Sequence, residues 1–246
     1  RHGENLNRIA EGMALAVDER MRSERFKTEL ITNVSHDIKT PLTSIINYSD
    51  LICKEQPENE KVAEYAAVLL RQSERLKKLI EDLVEASKAS TGSVDVLAAP
   101  CEVGVLLTQT VGEYEQRLRE NDLELIAKQP ETPVRIMADG RPLWRVFDNL
   151  MNNVCKYAQG GTRVYLTVEE KNGEAAISFK NTSKYPLDIS ADELMARFVR
   201  GDSARSTDGN GLGLSIARSL TELQNGRLEL TVDGDLFKVV LYFSSI

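Results

Sequence analysis

The sequence predicts an α+β protein: a long helical hairpin that pairs into a dimeric four-helix bundle, followed by an α/β sandwich with a mixed sheet. Three observations predict it. Apolar residues recur at spacings of four and three from residue 30 to residue 83, no glycine lies between Met13 and Gly92, and strands alternate with helices beyond a small polar stretch at Ser87–Ser93.

The elements follow in chain order. Leu6, Ile9, Met13 and Ala16 are spaced 3, 4, 3, so the helical pattern begins at about Leu6. Leu30, Val34, Ile38, Leu42, Ile45, Ser49 and Ile52 continue the helical pattern to a break at Gln56-Pro57-Glu58-Asn59. Val62, Ala66, Leu69, Ser73, Leu76, Ile80 and Leu83 then alternate 4, 3, an average of 3.5 that defines a coiled-coil seam. Two such helices form an antiparallel hairpin over residues 25–90. One hairpin covers its own seam poorly, so pairing with a second copy is expected.

Residues 94–246 form the second domain, joined by the polar linker at Ser87–Ser93. Strands are predicted at Leu123–Lys128, Val134–Met137, Val164–Glu169, Ala175–Lys180, Arg227–Val232 and Phe237–Phe243. Helices are predicted at Val103–Glu120, Arg141–Tyr157, Ala191–Ala196 and Leu212–Gln224, the second of them capped by Asp139 with Pro142 in its first turn. Long hairpin-like strand pairs with helices grouped between them place the helices on one face of the sheet.

Composition narrows the function. The 246 residues carry 31 Lys plus Arg against 38 Asp plus Glu, a net charge of −7. That balance argues against nucleic acid or an anionic membrane surface as partner. No apolar run approaches the roughly 20 residues of a membrane-spanning helix. Cys53, Cys101 and Cys155 are odd in number, lack metal-ligand spacing and read as reduced thiols. The chain begins at Arg1 without an initiator Met, as expected of a piece of a longer protein whose membrane anchor lies upstream.

Three segments carry chemistry. Ser35-His36-Asp37-Ile38-Lys39-Thr40-Pro41-Leu42 lies inside the first long helix. His36 and Thr40 share a face at i, i+4, and Pro41 predicts a kink within one turn of His36. On the helix after Asp139, Asn149, Asn153, Lys156 and Tyr157 form one polar stripe at i, i+4, i+7, i+8, while Leu143, Val146, Leu150 and Val154 can face the sheet. Asn is a mediocre helix former. Side-chain carbonyls beside a Lys and a Tyr hydroxyl suit a Mg²⁺-phosphate group. Gly209-Asn210-Gly211-Leu212-Gly213 runs into a helix, where backbone N–H groups attract phosphates. It is neither the dinucleotide fingerprint, lacking a βαβ unit, nor a Walker loop, lacking Gly-Lys-Ser/Thr. The basic run Arg197–Asp208, with Phe198 as its apolar anchor, has the composition of a mobile lid over a nucleotide.

Together these segments resemble the cytoplasmic catalytic core of a two-component sensor histidine kinase. Ser35–Leu42 is similar to the family's phospho-acceptor box, Asn149–Tyr157 to its Asn-rich box, Phe198-Val199-Arg200 to its Phe box and Gly209–Ala217 to its second glycine box. The resemblance covers about Arg25 to Ile246 and implies a homodimeric hairpin plus an ATP-binding sandwich of the GHKL type, in the cytoplasmic portion of a membrane-anchored sensor. Arg1–Glu24 resembles the family's signal-relay connector, with no direct membrane contact in this fragment. The resemblance further implies that His36 attacks the γ-phosphate of ATP, that Asp37 orients or deprotonates the imidazole, and that Thr40 positions water for dephosphorylation of the partner. By the same resemblance Asn153 is the Mg²⁺ ligand, Asn149, Lys156 and Tyr157 contact the nucleotide, Arg200 meets the γ-phosphate, and the Gly209, Gly211 and Gly213 backbone cradles the phosphates. The partner it implies is the receiver domain of a response regulator.

One box departs from the pattern. Where the family carries an Asp that accepts the adenine amino hydrogen bond and is followed by glycines, this chain has Lys180-Asn181-Thr182-Ser183. Asn181 either accepts that bond as a neutral carbonyl, in which case Asn181→Asp tightens ATP, or turns its amide NH₂ to the base and loosens purine selectivity. The alternatives to a kinase are a degenerate, non-catalytic dimer that binds a partner through its bundle, and a GHKL ATPase without histidine transfer.

Overall fold

The computed structural model describes residues 38–39, 42–54, 59–90, 94–187, 190–195 and 211–246. The connector, His36, Asp37, Thr40, the kink at Pro41, the turn at Pro57, the Phe198–Arg200 box and Gly209 lie outside the described residues. The chain divides into two compact units, residues 1–93 and 94–246.

In the first unit, helix α1 (38–39 and 42–54) is followed by helix α2 (Glu60–Ser90). Asn59 caps α2: its side-chain oxygen accepts from the Lys61 amide at 3.0 Å, and its carbonyl from Val62 at 2.9 Å. The ion pair Lys39–Glu81, at 3.7 Å, joins the start of α1 to the final third of α2 and makes the pair antiparallel. The coiled-coil seam divides into two sets. Leu42, Ser49, Ala66, Ser73 and Ile80 are buried. Ile38, Ile45 and Ile52 on α1, and Val62, Leu69 and Leu76 on α2, remain 39–52% exposed. Each exposed set repeats every seven residues, so it forms a stripe along its helix. Helix α2 continues through Ser90, so the first half of the polar stretch expected to be linker is helical. Ala86, Ser87 and Ala89 are buried there, and small side chains suit close packing as well as they suit a linker.

The second unit runs β1 (Ala99–Glu102), α3 (Val103–Glu120), β2 (Leu123–Lys128), β3 (Arg135–Ala138), α4 (Gly140–Tyr157), β4 (Thr162–Lys171), β5 (Glu174–Thr182), α5 (Ala191–Met195), α6 (Gly213–Glu222), β6 (Arg227–Asp233) and β7 (Leu236–Ser244). Five strands form a mixed sheet in the order β2-β4-β5-β7-β6, parallel only between β2 and β4. Strands β1 and β3 pair apart from it, antiparallel. Strand β1 is absent from the sequence expectation: its four residues include Pro100, and only pairing with β3 makes them a strand.

Alternation turns one sheet face inward. Val164, Leu166 and Val168 of β4, Ala175, Ile177 and Phe179 of β5, and Val239, Leu241 and Phe243 of β7 are buried. Leu143, Val146, Leu150 and Val154 of α4 are buried as the helical spacing requires. Phe147 meets Phe179 edge-on, with centroids 5.1 Å apart. Strands β4 and β5 join through Asn172 and Gly173, both at positive φ, the two-residue turn whose twist matches the strands it links.

Gly226, where the chain turns from α6 into β6, packs against the ring of buried Phe243. A Cβ there would lie 2.5 Å from the ring. Gly226→Ala should therefore destabilise the second unit by about 1–3 kcal/mol. Urea unfolding followed by the fluorescence of Trp144, the single tryptophan and a residue of α4, measures this. An unchanged midpoint would mean that the ring moves aside freely.

Candidate active site

Helix α4 carries the polar stripe and is tied at both ends. At its start, the Asp139 carboxylate accepts from the Arg141 amide at 3.0 Å and from the Leu97 amide at 3.1 Å. The Asp139 amide donates to the Gln224 side chain at 2.9 Å, and Gln224 donates in turn to the Leu220 carbonyl in α6. Burial alone would raise the Asp139 pKa. The two amide hydrogen bonds and the nearby Arg141 charge outweigh it and hold the carboxyl below its ordinary value. At the far end, the Gln159 amide donates to the Thr182 carbonyl at 2.8 Å and the Lys184 amide to the Tyr157 carbonyl at 2.9 Å, beside a bridge between Ala158 and Ser183. The end of β5 is thereby joined to the end of α4.

Helix α3 ties the flank. The Tyr114 hydroxyl donates to the Asp148 carboxylate at 2.6 Å, and Arg145 bonds the other carboxylate oxygen at 3.0 Å. The Arg117 guanidinium lies 5.0 Å from the centre of the Tyr114 ring and donates to Asn152 at 3.0 Å. Burial, reinforced by the Asp148 hydrogen bond, pushes the Tyr114 phenol well up, so it remains a donor.

These ties separate the three asparagines. Asn152 turns toward α3, accepting from Arg117 and returning its NH₂ to the Asp148 carbonyl at 2.7 Å. Asn149 returns its NH₂ to the Arg145 carbonyl at 2.9 Å and faces the other way. The Asn149 oxygen would meet a Cβ at Gly213 at 3.5 Å, and the Asn153 amide would meet it at 3.7 Å. The stripe of α4 and the first turn of α6 are thus brought face to face. At those distances a methyl group would fit, so a glycine at 213 keeps space open there. Gly211 has φ +65, which a side chain would resist. Leu212, fully buried between the two glycines, anchors their loop in the core. The start of α6 has no side-chain cap, and its first-turn N–H groups carry partial positive charge.

The remaining candidates are distributed as follows. Lys156 is exposed and Tyr157 half-buried in the last turn of α4. Asn181 is buried on β5, on the helix-facing side with Ala175, Ile177 and Phe179. The described residues thus gather Asn149, Asn153, Gly211 and Gly213 in one place, and the α4–β5 connection joins Tyr157 to the end of β5 next to Asn181. The second bond of Asp139, to Leu97, and the Tyr114–Asp148 bond are beyond the sequence reading. They span 42 and 34 residues, and no local pattern signals them.

The sandwich with an Asn-bearing helix facing a glycine-rich helix start defines the class. Residues 138–244 match the Histidine kinase-, DNA gyrase B-, and HSP90-like ATPase family, and residues 26–92 match the His Kinase A (phospho-acceptor) domain family. With both domains in this order over more than half its length, the chain belongs to the sensor histidine kinases and is the catalytic core of one. Among its relatives is the sensor protein VanS of Enterococcus faecium, 28% identical over 229 residues that cover 92% of this chain and 59% of VanS. The fold is shared with full-length ShkA, solved in complex with AMPPNP, at a TM-score of 0.75 and 21% identity over 89% of this chain and 46% of that one. It is shared also with ThkA, solved in complex with the response regulator protein TrrA, at a TM-score of 0.62 and 19% identity over 93% of this chain and 65% of that one.

The Asp139 tie has a pH signature. Its folded pKa is depressed, so its contribution to stability is fully present above the unfolded value of about 4 and is lost as pH falls through the lower folded value. Asp139→Asn can still accept from Arg141, but it turns an NH₂ toward the Leu97 amide. It should lose about 1 kcal/mol at pH 7 and a smaller amount near pH 3. Urea midpoints at the two pH values test this; an equal loss at both would show that the carboxylate charge contributes nothing.

Proposed function

We propose that the chain is an ATP-dependent protein-histidine kinase that phosphorylates His36 and passes the phosphoryl group to an aspartate of a response-regulator receiver domain, and that also removes it. The observation that carries this reading is the convergence of Asn149 and Asn153 on Gly213 in an ATPase-type sandwich, behind a phospho-acceptor hairpin. The N–H groups at the start of α6 suit the phosphates of ATP, and the Gly213 gap leaves room for them beside the Asn pair. Asn153, whose amide makes no hydrogen bond among the described residues, suits a Mg²⁺ ion, an oxygen-seeking cation that would neutralise phosphate charge there. Asn149, Lys156 and Tyr157 border the same face, and Arg200 and Gly209 are assigned to the γ-phosphate and the phosphate loop by their boxes. ATP binding is in keeping with the ShkA–AMPPNP structure, and a response-regulator partner with the ThkA–TrrA structure.

In the transfer, an imidazole nitrogen of His36 attacks the γ-phosphorus. A P–N bond forms as the bond to the β-phosphate oxygen of ADP breaks, and Asp37 orients the ring or takes its proton. The exposed stripes of α1 and α2 suit a second copy of the hairpin, which makes the working form a homodimer. The whole protein is read as a membrane-anchored sensor with this part on the cytoplasmic side. Among the described residues no helix is long and apolar enough to cross a membrane.

Incubation with Mg-ATP should yield acid-labile, base-stable phosphate, and His36→Gln should abolish it while ATP binding persists. Undiminished labelling of that variant would refute the assignment, and binding without labelling of the unaltered chain would favour a non-catalytic partner-binding dimer.

Thr40 is expected to separate the two activities, because its i, i+4 spacing from His36 in the sequence would set its hydroxyl on the imidazole's face of a helix, where it is not needed for attack on ATP. Thr40→Ala should retain most autophosphorylation and lose at least tenfold in dephosphorylation of the phosphorylated regulator. Equal loss of both would make Thr40 structural.

A further inference from the structure

Helices α4 and α6 pack along each other in opposite directions, with the Asn149–Asn153–Gly213 site at one end of the pair. At the other end the start of α4 meets the end of α6 through one side chain, Gln224, which is 4% exposed. Its Oε1 accepts from the Asp139 amide at 2.9 Å, and its Nε2 donates to the Leu220 carbonyl at 3.0 Å. Both partners are backbone groups of helix ends. The Asp139 amide precedes α4, and the Leu220 carbonyl lies in the last turn of α6, where the Gln224 amide bonds Thr221 instead. An apolar side chain of the same length would fill the space and leave both groups unpaired.

The other buried side chains of α6 do not supply such a join. Ile216, Ala217 and Leu220 are apolar, and the hydroxyls of Ser215 and Thr221 bond the Leu212 and Ala217 carbonyls next to or within α6 itself. Apolar burial is non-directional, so it sets how closely two helices lie more firmly than how far one slides along the other. A hydrogen bond tolerates a range of only about 0.5 Å and a narrow span of angles. The Gln224 bonds therefore fix the register of α6 on α4.

We infer that Gln224 is a positioning residue for phosphoryl transfer: by pinning the far ends of α4 and α6, it aligns the Gly213 turn with Asn149 and Asn153. The inference rests on the nucleotide-binding reading above and adds to it the element that sets the geometry of the phosphate site. Asn149 and Asn153 lie about 15–21 Å along α4 from Asp139, and Gly213 lies about 16 Å back along α6 from Gln224, at about 1.5 Å per residue. A rigid helix carries a slip at the pinned end to the other end undiminished. Phosphates held between the first-turn N–H groups of α6 and the Asn pair would then shift relative to one of the two. Such a shift costs rate more than affinity, because transfer is steeply sensitive to the alignment of the reacting atoms.

Gln224→Met keeps the length of the side chain and removes both bonds. In the full chain it should lower autophosphorylation at saturating Mg-ATP about tenfold and move the KM for Mg-ATP less than threefold, with the Trp144 unfolding transition confirming that the variant is folded at the assay temperature. Gly213→Ala narrows the same site from the other end. If Gln224 sets the alignment there, the two substitutions together should cost at least threefold less than the product of their separate losses, whereas distant sites that act independently multiply. Should Gln224→Met not fold, or the unaltered chain bind ATP without labelling, hydrogen exchange in the unaltered chain carries the test. Mg²⁺-AMPPNP should then slow the Asp139 amide at least threefold more than the Val103 amide, which bonds Val134 outside the helix pair. A rate for Gln224→Met within twofold of the unaltered chain, a KM that rises as far as the rate falls, losses that multiply, or equal slowing of the two amides would overturn the inference and leave nucleotide binding intact. No binding of Mg-ATP by the unaltered chain in calorimetry would overturn both.

Discussion

The placement of α4 is the constraint on which the second unit depends. One face of this helix must lie on the sheet, because Leu143, Val146, Leu150 and Val154 have nowhere else to be buried. A flanking face must meet the start of α6, because that is where Asn149 and Asn153 are aimed. A rotation of α4 by one residue, about 100°, would satisfy neither. The Asp139 carboxylate, the Tyr114–Asp148 bond and the backbone bonds to Thr182 and Lys184 restrain the helix at its start, middle and end. The three restraints arrive from the segment before β1, from α3 and from β5, so the orientation of the Asn pair is set by the whole sandwich.

Periodicity made most of this legible in the sequence. The spacing of Leu143, Val146, Leu150 and Val154 assigned α4 its buried face, and the polar stripe followed by subtraction. The strand hairpins were legible because burial alternates along β5 and over Val164–Val168 of β4, while β7 shows as a continuous β-branched and aromatic run. Strand β1 was not, because four residues including Pro100 acquire their conformation only by pairing with β3. The three asparagines looked equivalent as poor helix formers. Helical spacing sets Asn149 and Asn153 on one stripe apart from Asn152, and the partners in space add that Asn152 serves the α3 contact. The partners of Asp148 and Asn152 were not legible, because they lie in α3, 34 and 35 residues away.

The hairpin shows a different kind of dependence. Its repeat is a single seam in sequence but two surfaces in space, with Leu42, Ser49, Ala66, Ser73 and Ile80 turned in and the isoleucines of α1 and Val62, Leu69 and Leu76 of α2 turned out. The inward set is narrow, and two of its five residues are serines. The larger side chains are on the outward stripes, where burying a Leu or Ile is worth about 1.5–3 kcal/mol. Most of the apolar surface the hairpin can remove from water is therefore reserved for contacts beyond the helix pair itself. The sandwich, by contrast, buries its largest side chains, Tyr114, Phe147 and Phe179 among them, within its own fold.

Asparagine is a versatile side chain in this structure because its two ends have opposite hydrogen-bonding sense. In α4 the NH₂ of Asn149 and of Asn152 returns to a carbonyl one turn back, which removes the donor from play and leaves an oxygen facing outward from the helix. Asn181 follows the same logic on a strand, its NH₂ held by the next residue's carbonyl and its oxygen left over. An aspartate at any of these positions would offer oxygens at both ends and repel the backbone carbonyl that orients it. The amide thus gives a site two properties together: a neutral acceptor, which can be buried without the desolvation penalty of a charge, and a fixed direction, because the donor end is already bonded. A helix stripe or strand end made of asparagines is in that sense self-orienting. The same feature that makes asparagine a weak helix former, its readiness to bond the local backbone, is what points its oxygen toward the site.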